Sequence, residues 1–449
     1  MAREYNTELT NIFKAGVRRV DPENMLLTQC SLDGDIFSVS LPERVLEYNL
    51  SNYRRLIIIG AGKATAKMAK AMEKILGDRI SEGLIVVKYG HTEELSIIKT
   101  LESGHPVPDE NSKKGAETLL SLAKSADENT LVINLISGGG SALLCSPYCD
   151  AELECSLSEK QETTKLLLEC GAEISEINTI RKHLSGIKGG RLAEAIYPAT
   201  SLSLILSDVI GDRLDSIASG CTVADTSSFS EACAITEKYK IKERLPEVVR
   251  TILEKGVAGE ISETPKPGSS VFDKASNALI GTNLAALKSA EQEAQKLGYN
   301  TIVLSSQISG EASEAAKFYL GIARDISREL GMLPKPACII AGGETTVTIK
   351  GDGKGGRNQE MALAFLGELK DEQGIYFLSG GTDGNDGPTD AAGAFASAAL
   401  YKKGCSAGIR LQDYLDNNDS YNYFRQIDGL LMTGPTNTNV CDIQIVIVV

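Results

Sequence analysis

Runs of unbroken branched aliphatic residues constrain this chain more than any other feature: Arg55–Ile59 (RLIII), Gly83–Val87 (GLIVV), Thr130–Ile136 (TLVINLI) and Ser203–Leu206 (SLIL). A strand with one wet face alternates apolar and polar side chains, whereas continuous Val, Ile and Leu predict burial on both faces. Between the runs, Lys63–Leu76, Asn111–Ala126, Ser158–Cys170 and Glu173–Leu184 place apolar residues at helical spacing. Strands separated by helices in this way predict an α/β fold around a parallel sheet. Further strands are expected at Ala278–Gly281 and Thr301–Leu304, and further helices at Leu284–Leu297 and Glu311–Leu330.

A chain of 449 residues exceeds one ordinary hydrophobic core. The segment Gly331-Met-Leu-Pro-Lys-Pro336 sets two prolines just after a glycine and breaks the preceding helix. The expected division is a larger, Rossmann-like N-terminal domain over 1–333 and a smaller α/β domain over 334–449. The second opens with the strand Cys338–Gly343 (CIIAGG) and closes with Ile443–Val449. The first twenty residues read as an amphipathic helix with Leu9, Ile12, Phe13 and Val17 on one face, and Ser262–Asp273 as a surface loop.

The net charge of −14 disfavours nucleic acid or anionic membrane as a partner, because both attract basic faces. No stretch approaches the ~20 apolar residues of a membrane span, and the N-terminus lacks the apolar core of a signal peptide, so a cytoplasmic location is expected. Ten cysteines without a C-x-x-C pair fit reduced thiols. The three histidines, His91, His105 and His183, are not at zinc-ligand spacing.

Gly60-Ala-Gly-Lys63 lies where a strand turns into a helix. Gly60 and Gly62 let the backbone approach a ligand, and the helix N-terminus offers N–H groups to an anion, although a tight turn alone also explains them. Thr65 replaces the third glycine of a dinucleotide fingerprint, and the next strand ends in Val87-Lys88-Tyr89 where an acid would hold a ribose. Lys63 on this turn is placed to meet phosphate or carboxylate. A second loop, Ser137-Gly138-Gly139-Gly140-Ser141, again follows a strand, and consecutive glycines can aim several amides at one anion. Between Asn178 and Arg191 the chain holds Arg181, Lys182, His183, Lys188 and Arg191, either a solvated basic face or an anion site. Asp208 follows the strand Ser203–Leu206, where α/β sheets place ligands, though a turn cap is the plainer role.

The C-terminal domain carries Gly342-Gly-Glu344-Thr-Thr346, and then Gly351–Glu360 (GDGKGGRNQE) before a helix over Met361–Leu369. Lys354, Arg357 and Asn358 on glycine-rich backbone resemble a mobile phosphate clamp. The strand Ile375–Leu378 runs into a loop with Thr382, Asp383, Asp386 and Asp390 among glycines, suggesting hard-cation chemistry or local turn caps. Thr433–Asn439 (TGPTNTN) is a polar loop suited to a sugar or phosphate.

Taken in order, GAGKA, GHPVPDE, SGGGSALL, NTIRKHLSGIKGGRLA, SDVIGD, GGETTV, GGRNQE, GTDGNDGPTDAAGA and TGPT resemble the glycerate 2-kinase family, whose C-terminal part is the MOFRL domain. The resemblance spans nearly the whole chain. It implies an active cleft between two α/β domains, ATP-dependent phosphorylation of D-glycerate to 2-phosphoglycerate, and a catalytic pair at Lys63 and Arg357. The expected site adds Asp208 to orient a hydroxyl. Nucleotide contacts are expected from Gly60, Gly62, Ser137, Gly138, Gly139, Gly140, Ser141, Lys354, Asn358 and Thr382. Substrate contacts fall to Arg181, Lys188, Glu344 and Thr433, with Mg2+ at Asp383 or Asp386. Partners are then a nucleotide and glycerate, with no nucleic acid or membrane, for a monomer or homodimer. Three positions depart from the family's usual residues: Cys221 for proline, Asn437 for glycine and Cys441 for asparagine. The rival readings are an NAD(P)H-dependent hydroxypyruvate reductase and a non-catalytic nucleotide and metabolite sensor.

Overall fold

In the computed structural model, which describes residues 4–331 and 333–449, three short strands precede the aliphatic runs. These are β1 (Cys30–Asp33), β2 (Ile36–Ser40) and β3 (Val45–Asn49), which form an antiparallel meander. Their alternating, half-polar sequences do not produce the continuous apolar signal of a two-sided strand. The runs themselves become β4 (Arg55–Ala61), β5 (Glu82–Lys88), β7 (Thr130–Ile136) and β8 (Thr200–Leu206). β6 (Ile98–Ser103) and β9 (Ala275–Gly281) occupy the two edges, giving the order β6-β5-β4-β7-β8-β9. The pairs β6/β5, β5/β4, β4/β7 and β7/β8 are parallel. β6 escapes the sequence reading because its IKTLES alternates polar residues at an edge.

The chain forms two compact units, one of residues 25–207 and 212–280, the other of 208–211, 281–449 and the chain through Asn24. The change of unit therefore falls at Gly281, and residues 281–333 do not group with the N-terminal domain in which they were expected. The physical reason is pairing. β10 (Asn300–Val303) joins β11 (Ala337–Gly343) in parallel register, Asn300 opposite Ala337. The second sheet continues with β12 (Ile375–Gly381), β13 (Gly393–Ser397), β14 (Leu430–Leu431) and β15 (Asp442–Val448), in the order β10-β11-β15-β12-β13-β14. β15 lies antiparallel between β11 and β12, and its seven residues are all buried. The helix Tyr5–Arg19 belongs to this unit, and Ala15 O accepts a bond from Ser289 Oγ on the helix Asn283–Lys296. Leu9, Ile12 and Phe13 are buried as expected, while Val17 is only half-buried.

The first unit has a second core built by helices. Ile177, Ile180 and Leu184 pack with Phe229, Val249, Ile252 and Leu253. The helices Phe229–Lys238 and Glu247–Val257 were not anticipated. Nor is Ser262–Asp273 merely a surface loop: Glu263 accepts from Phe229 N at 2.8 Å and holds His183 Nε2 at 3.0 Å. Among the described residues no helix is long and apolar enough to cross a membrane.

Candidate active site

Adjacent strand ends build the first cluster. Gly60 opposes Leu135 and Ala61 opposes Ile136, so the turns after β4 and β7 lie side by side. Gly62 has φ +147°, and a Cβ there would stand 2.0 Å from Ser137 Oγ, which excludes any other residue. The turn spends its own donors internally. Gly62 N bonds Val86 O, Lys63 N bonds Gly138 O at 2.9 Å, and Ala64 N bonds Ser137 Oγ at 3.1 Å. The amides around Gly62 are therefore not the anion cradle that the glycines suggested. The second loop fits that role better: Gly138 N and Gly139 N have no partner among the described residues.

Lys63 is half-buried, and its ammonium likewise has no partner among the described residues. A Cβ on Gly139, whose φ is +85°, would stand 3.4 Å from Lys63 Cγ and 2.9 Å from His105 Nε2. Lysine, imidazole and glycine loop thus meet at one point. Burial, and then the charges of Lys63, Lys88 and His91, hold the His105 imidazole down at about 4.

Behind the loop lies a row of cations. Lys188 is buried, and its ammonium donates to Ser141 O, to Ser141 Oγ at 2.9 Å and to Leu144 O at 3.3 Å. Its three donors are thereby used, which makes it a tether of the 137–144 turn, not an open substrate contact. Burial, then the neighbouring Lys160 and Arg181, bring Lys188 down to about 7. Arg181, on the helix Ile174–His183, is half-buried and has no hydrogen-bond or ion-pair partner among the described residues. The rest of the basic segment is structural, since Lys182 pairs with Asp225 at 3.1 Å and His183 with Glu263. Ser141 Oγ also meets Ser219 Oγ at 2.9 Å.

The second cluster stands in the other compact unit. Register places Asp442, the first residue of β15, between Gly343 and Gly381, the last residues of β11 and β12. Arg357, the first residue of the helix Arg357–Leu369, donates Nε to Asp442 Oδ2 at 2.6 Å and Nη2 to Oδ1 at 3.0 Å. Its Nη1 pairs with Glu344 at 2.8 Å. Burial opposes the guanidinium charge, but the Asp442 bonds and the Asp442, Glu344 and Asp386 charges outweigh it and raise its pKa. Asp208 reaches this group through its carbonyl, which accepts from Cys441 Sγ at 3.3 Å.

Several expected ligand contacts have other duties. Asp386 is buried and accepts from Asn358 N, Asn358 Nδ2 and Gln359 N, so it caps the Arg357 helix. Asn358 is buried between Asp386 and Ser379 Oγ. Thr382 is buried, donating to Cys441 O at 2.6 Å and accepting from Val440 N at 2.9 Å. Lys354 is exposed and rests over the Tyr421 ring at 4.5 Å. Its glycine loop is not a mobile clamp, because Lys350 N and Gly351 N bond Asn418 Oδ1, and Lys354 N bonds Asp419 Oδ1 at 2.8 Å. Thr433 Oγ1 donates to Gly434 O at 2.8 Å. Asp383 is half-buried, with Asn385 N as its partner on Oδ1 and none on Oδ2 among the described residues.

A family model described as a domain of unknown function, DUF4147, matches residues 8–254, and the MOFRL family model matches 337–442. The D-glycerate 2-kinase of Thermotoga maritima is 41% identical over 96% of this chain and 100% of its own. The glycerate 2-kinase of Pyrococcus horikoshii is 41% identical over 96% of this chain and 94% of its own. The chain belongs to the glycerate kinase family. A crystal structure of the Thermotoga maritima glycerate kinase matches with a TM-score of 0.88 at 40% identity, covering 99% of each chain.

Membership in the glycerate kinase family gives two of the departures a backbone meaning. Asn437 has φ +60° and Cys441 has φ +68°, in the left-handed region that glycine and asparagine adopt at less cost than cysteine. Cys221 is buried, and its carbonyl accepts from Leu192 N at 3.1 Å. Two functional candidates escaped the sequence reading. Asp442 could have been noticed as a lone acid opening an apolar strand. His105 offered only its place in GHPVPDE.

Proposed function

We propose that the protein transfers the γ-phosphoryl group of ATP to the 2-hydroxyl of D-glycerate. The observation that carries this reading is the cluster around Ser137–Ser141. Lys63 and two free backbone amides stand there, and Arg181 neighbours the Lys188 that tethers the loop, none of these cations or amides held by a carboxylate among the described residues. Phosphoryl transfer needs positioning and charge neutralisation more than covalent help from the protein, and such a cluster supplies both. In this reading the Gly138 and Gly139 amides hold phosphate oxygens, and Lys63 and Arg357 neutralise charge on the migrating group. Arg181 receives the glycerate carboxylate in a two-pronged pair. Asp208 orients the hydroxyl that attacks, and closure of the protein around the reactants keeps water from taking the phosphoryl group.

The carboxylate oxygen left open on Asp383 fits a nucleotide-borne magnesium ion, which commonly takes only one or two protein carboxylates. Among the described residues no group of three or more His, Cys, Asp or Glu could hold a metal by itself. When bound, the ion would offset charge on the phosphates. Asp386, with its oxygens committed to a helix end, is the weaker of the two ligands.

Hydride transfer from NAD(P)H finds less support. Thr65, at the third glycine position, is buried and bonds Ser137 Oγ at 3.0 Å, and β5 ends on Lys88. The test is steady-state kinetics with ATP, Mg2+ and D-glycerate. Lys63→Ala and Arg357→Ala should each cut turnover by about two to four orders of magnitude. Near-normal turnover in either variant removes that residue from the mechanism, and NADH consumption with hydroxypyruvate in place of ADP release would overturn the reading.

A further inference from the structure

The loop at Gly139 brings a third side chain to the anion cradle. His105 presents its Nε2 edge to Gly139, on the same side as the Lys63 chain. Its ring nitrogens have no hydrogen-bond partner among the described residues, in contrast to His91, whose Nδ1 meets Lys63 O at 3.1 Å. His183 is the internal comparison, with both ring nitrogens engaged, by Thr179 O at 2.8 Å and Glu263 at 3.0 Å. An unpartnered imidazole at a glycine loop, beside a lysine and two free amides, has the surroundings of an anion contact, because all of these groups can turn a donor toward one oxyanion.

We propose that His105 is a phosphate-contacting residue of this site, directing Nε2–H at a phosphate oxygen held by Lys63 and the Gly138–Gly139 amides. The assignment rests on the kinase reading and adds to it a residue that no carboxylate orients. The titratable groups facing the ring are Lys63 from the turn after β4, Lys88 from the end of β5 and His91 from the loop beyond it, none of them an acid. Burial, and then those neighbours, hold the imidazole neutral. An arriving phosphate reverses the local potential and favours a proton on His105, which strengthens the contact. Nucleotide and phosphorylated product both carry such a phosphate, and the chemistry at Nε2 is the same.

Proton NMR of the intact protein tests this, because the chain has three histidines and His105→Gln assigns the resonance. Titration with ADP, and separately with 2-phosphoglycerate, should move the His105 ring signal toward the imidazolium position and leave that of His183 unmoved. Movement with ADP alone places His105 on the nucleotide, and movement with 2-phosphoglycerate alone places it on the acceptor. A His105 signal unmoved by both ligands, while calorimetry shows them binding, overturns the proposal. His105→Leu should weaken the responsive ligand by about ten- to a hundredfold, with His105→Gln recovering most of the loss. Equal affinity in wild type and His105→Leu would also count against it. Wild-type turnover of ATP and D-glycerate is measured alongside; its absence would sink the kinase reading, whereas normal turnover with a silent His105 sinks only this assignment.

Discussion

Arg357 keeps its charge among carboxylates, and those carboxylates decide how the guanidinium is aimed. Asp442 takes two parallel bonds and Glu344 a third, so the fork is fixed on one side and two N–H groups remain on the other. Asp442→Asn removes a buried counter-charge from the pair. It should destabilise the protein by about 3 kcal/mol in urea unfolding and reduce turnover more than it raises KM for ATP. Unchanged unfolding and kinetics would show that the clamp is dispensable. Glu360, on the same helix, is raised to about 7 by burial. Its folded-state pKa lies above the unfolded one, so its contribution is present below about pH 4.5 and fades as pH rises through 7. Asp386, raised to about 6 by burial, acts with the same sign. Glu360→Gln should therefore raise the thermal midpoint at pH 8 more than at pH 5. Lys63 and Arg357 stood out in sequence as candidates because each is a cation in a glycine setting. Asp442 and His105 were not, because their importance comes from neighbours distant in the chain.

At the scale of elements, the candidate site depends on close approach between the neighbouring turns after β4 and β7. Gly62→Ala would drive a methyl group into Ser137, so the variant should lose both thermal stability and activity, and normal behaviour would contradict the close-packed turn. Cys441 imposes a left-handed conformation on a residue poorly suited to it. Cys441→Asn should stabilise by roughly 0.5–1 kcal/mol in urea unfolding, whereas Asn437→Ala should cost about 1 kcal/mol. The buried parallel strands were readable because two-sided burial leaves an unbroken apolar run. The meander β1–β3, the edge strand β6 and the helices Phe229–Lys238 and Glu247–Val257 carry mixed patterns, and tertiary packing defines them. Glycines misled at Gly62 and again at Gly351–Gly356, which read as a mobile loop: a Cβ on Gly355 would meet Ser420 Oγ at 2.2 Å, so the spacing serves tight packing.

At the scale of the whole molecule, the candidate residues fall in two compact units. One carries the uncompensated cations of Lys63 and Arg181, and the other the aimed guanidinium of Arg357. The exchange of residues between units, with β10 and the N-terminal helix joining the C-terminal strands, was hidden from sequence because a proline-rich break looks like a boundary whichever sheet its flanking strand joins. The proposed activity of the whole molecule is phosphorylation of D-glycerate at the expense of ATP. Phosphorus NMR of wild-type protein incubated with ATP, Mg2+ and D-glycerate tests that claim most directly. The account predicts 2-phosphoglycerate appearing in step with ADP, and ATP left intact without glycerate, D-glycerate unphosphorylated after prolonged incubation would contradict it.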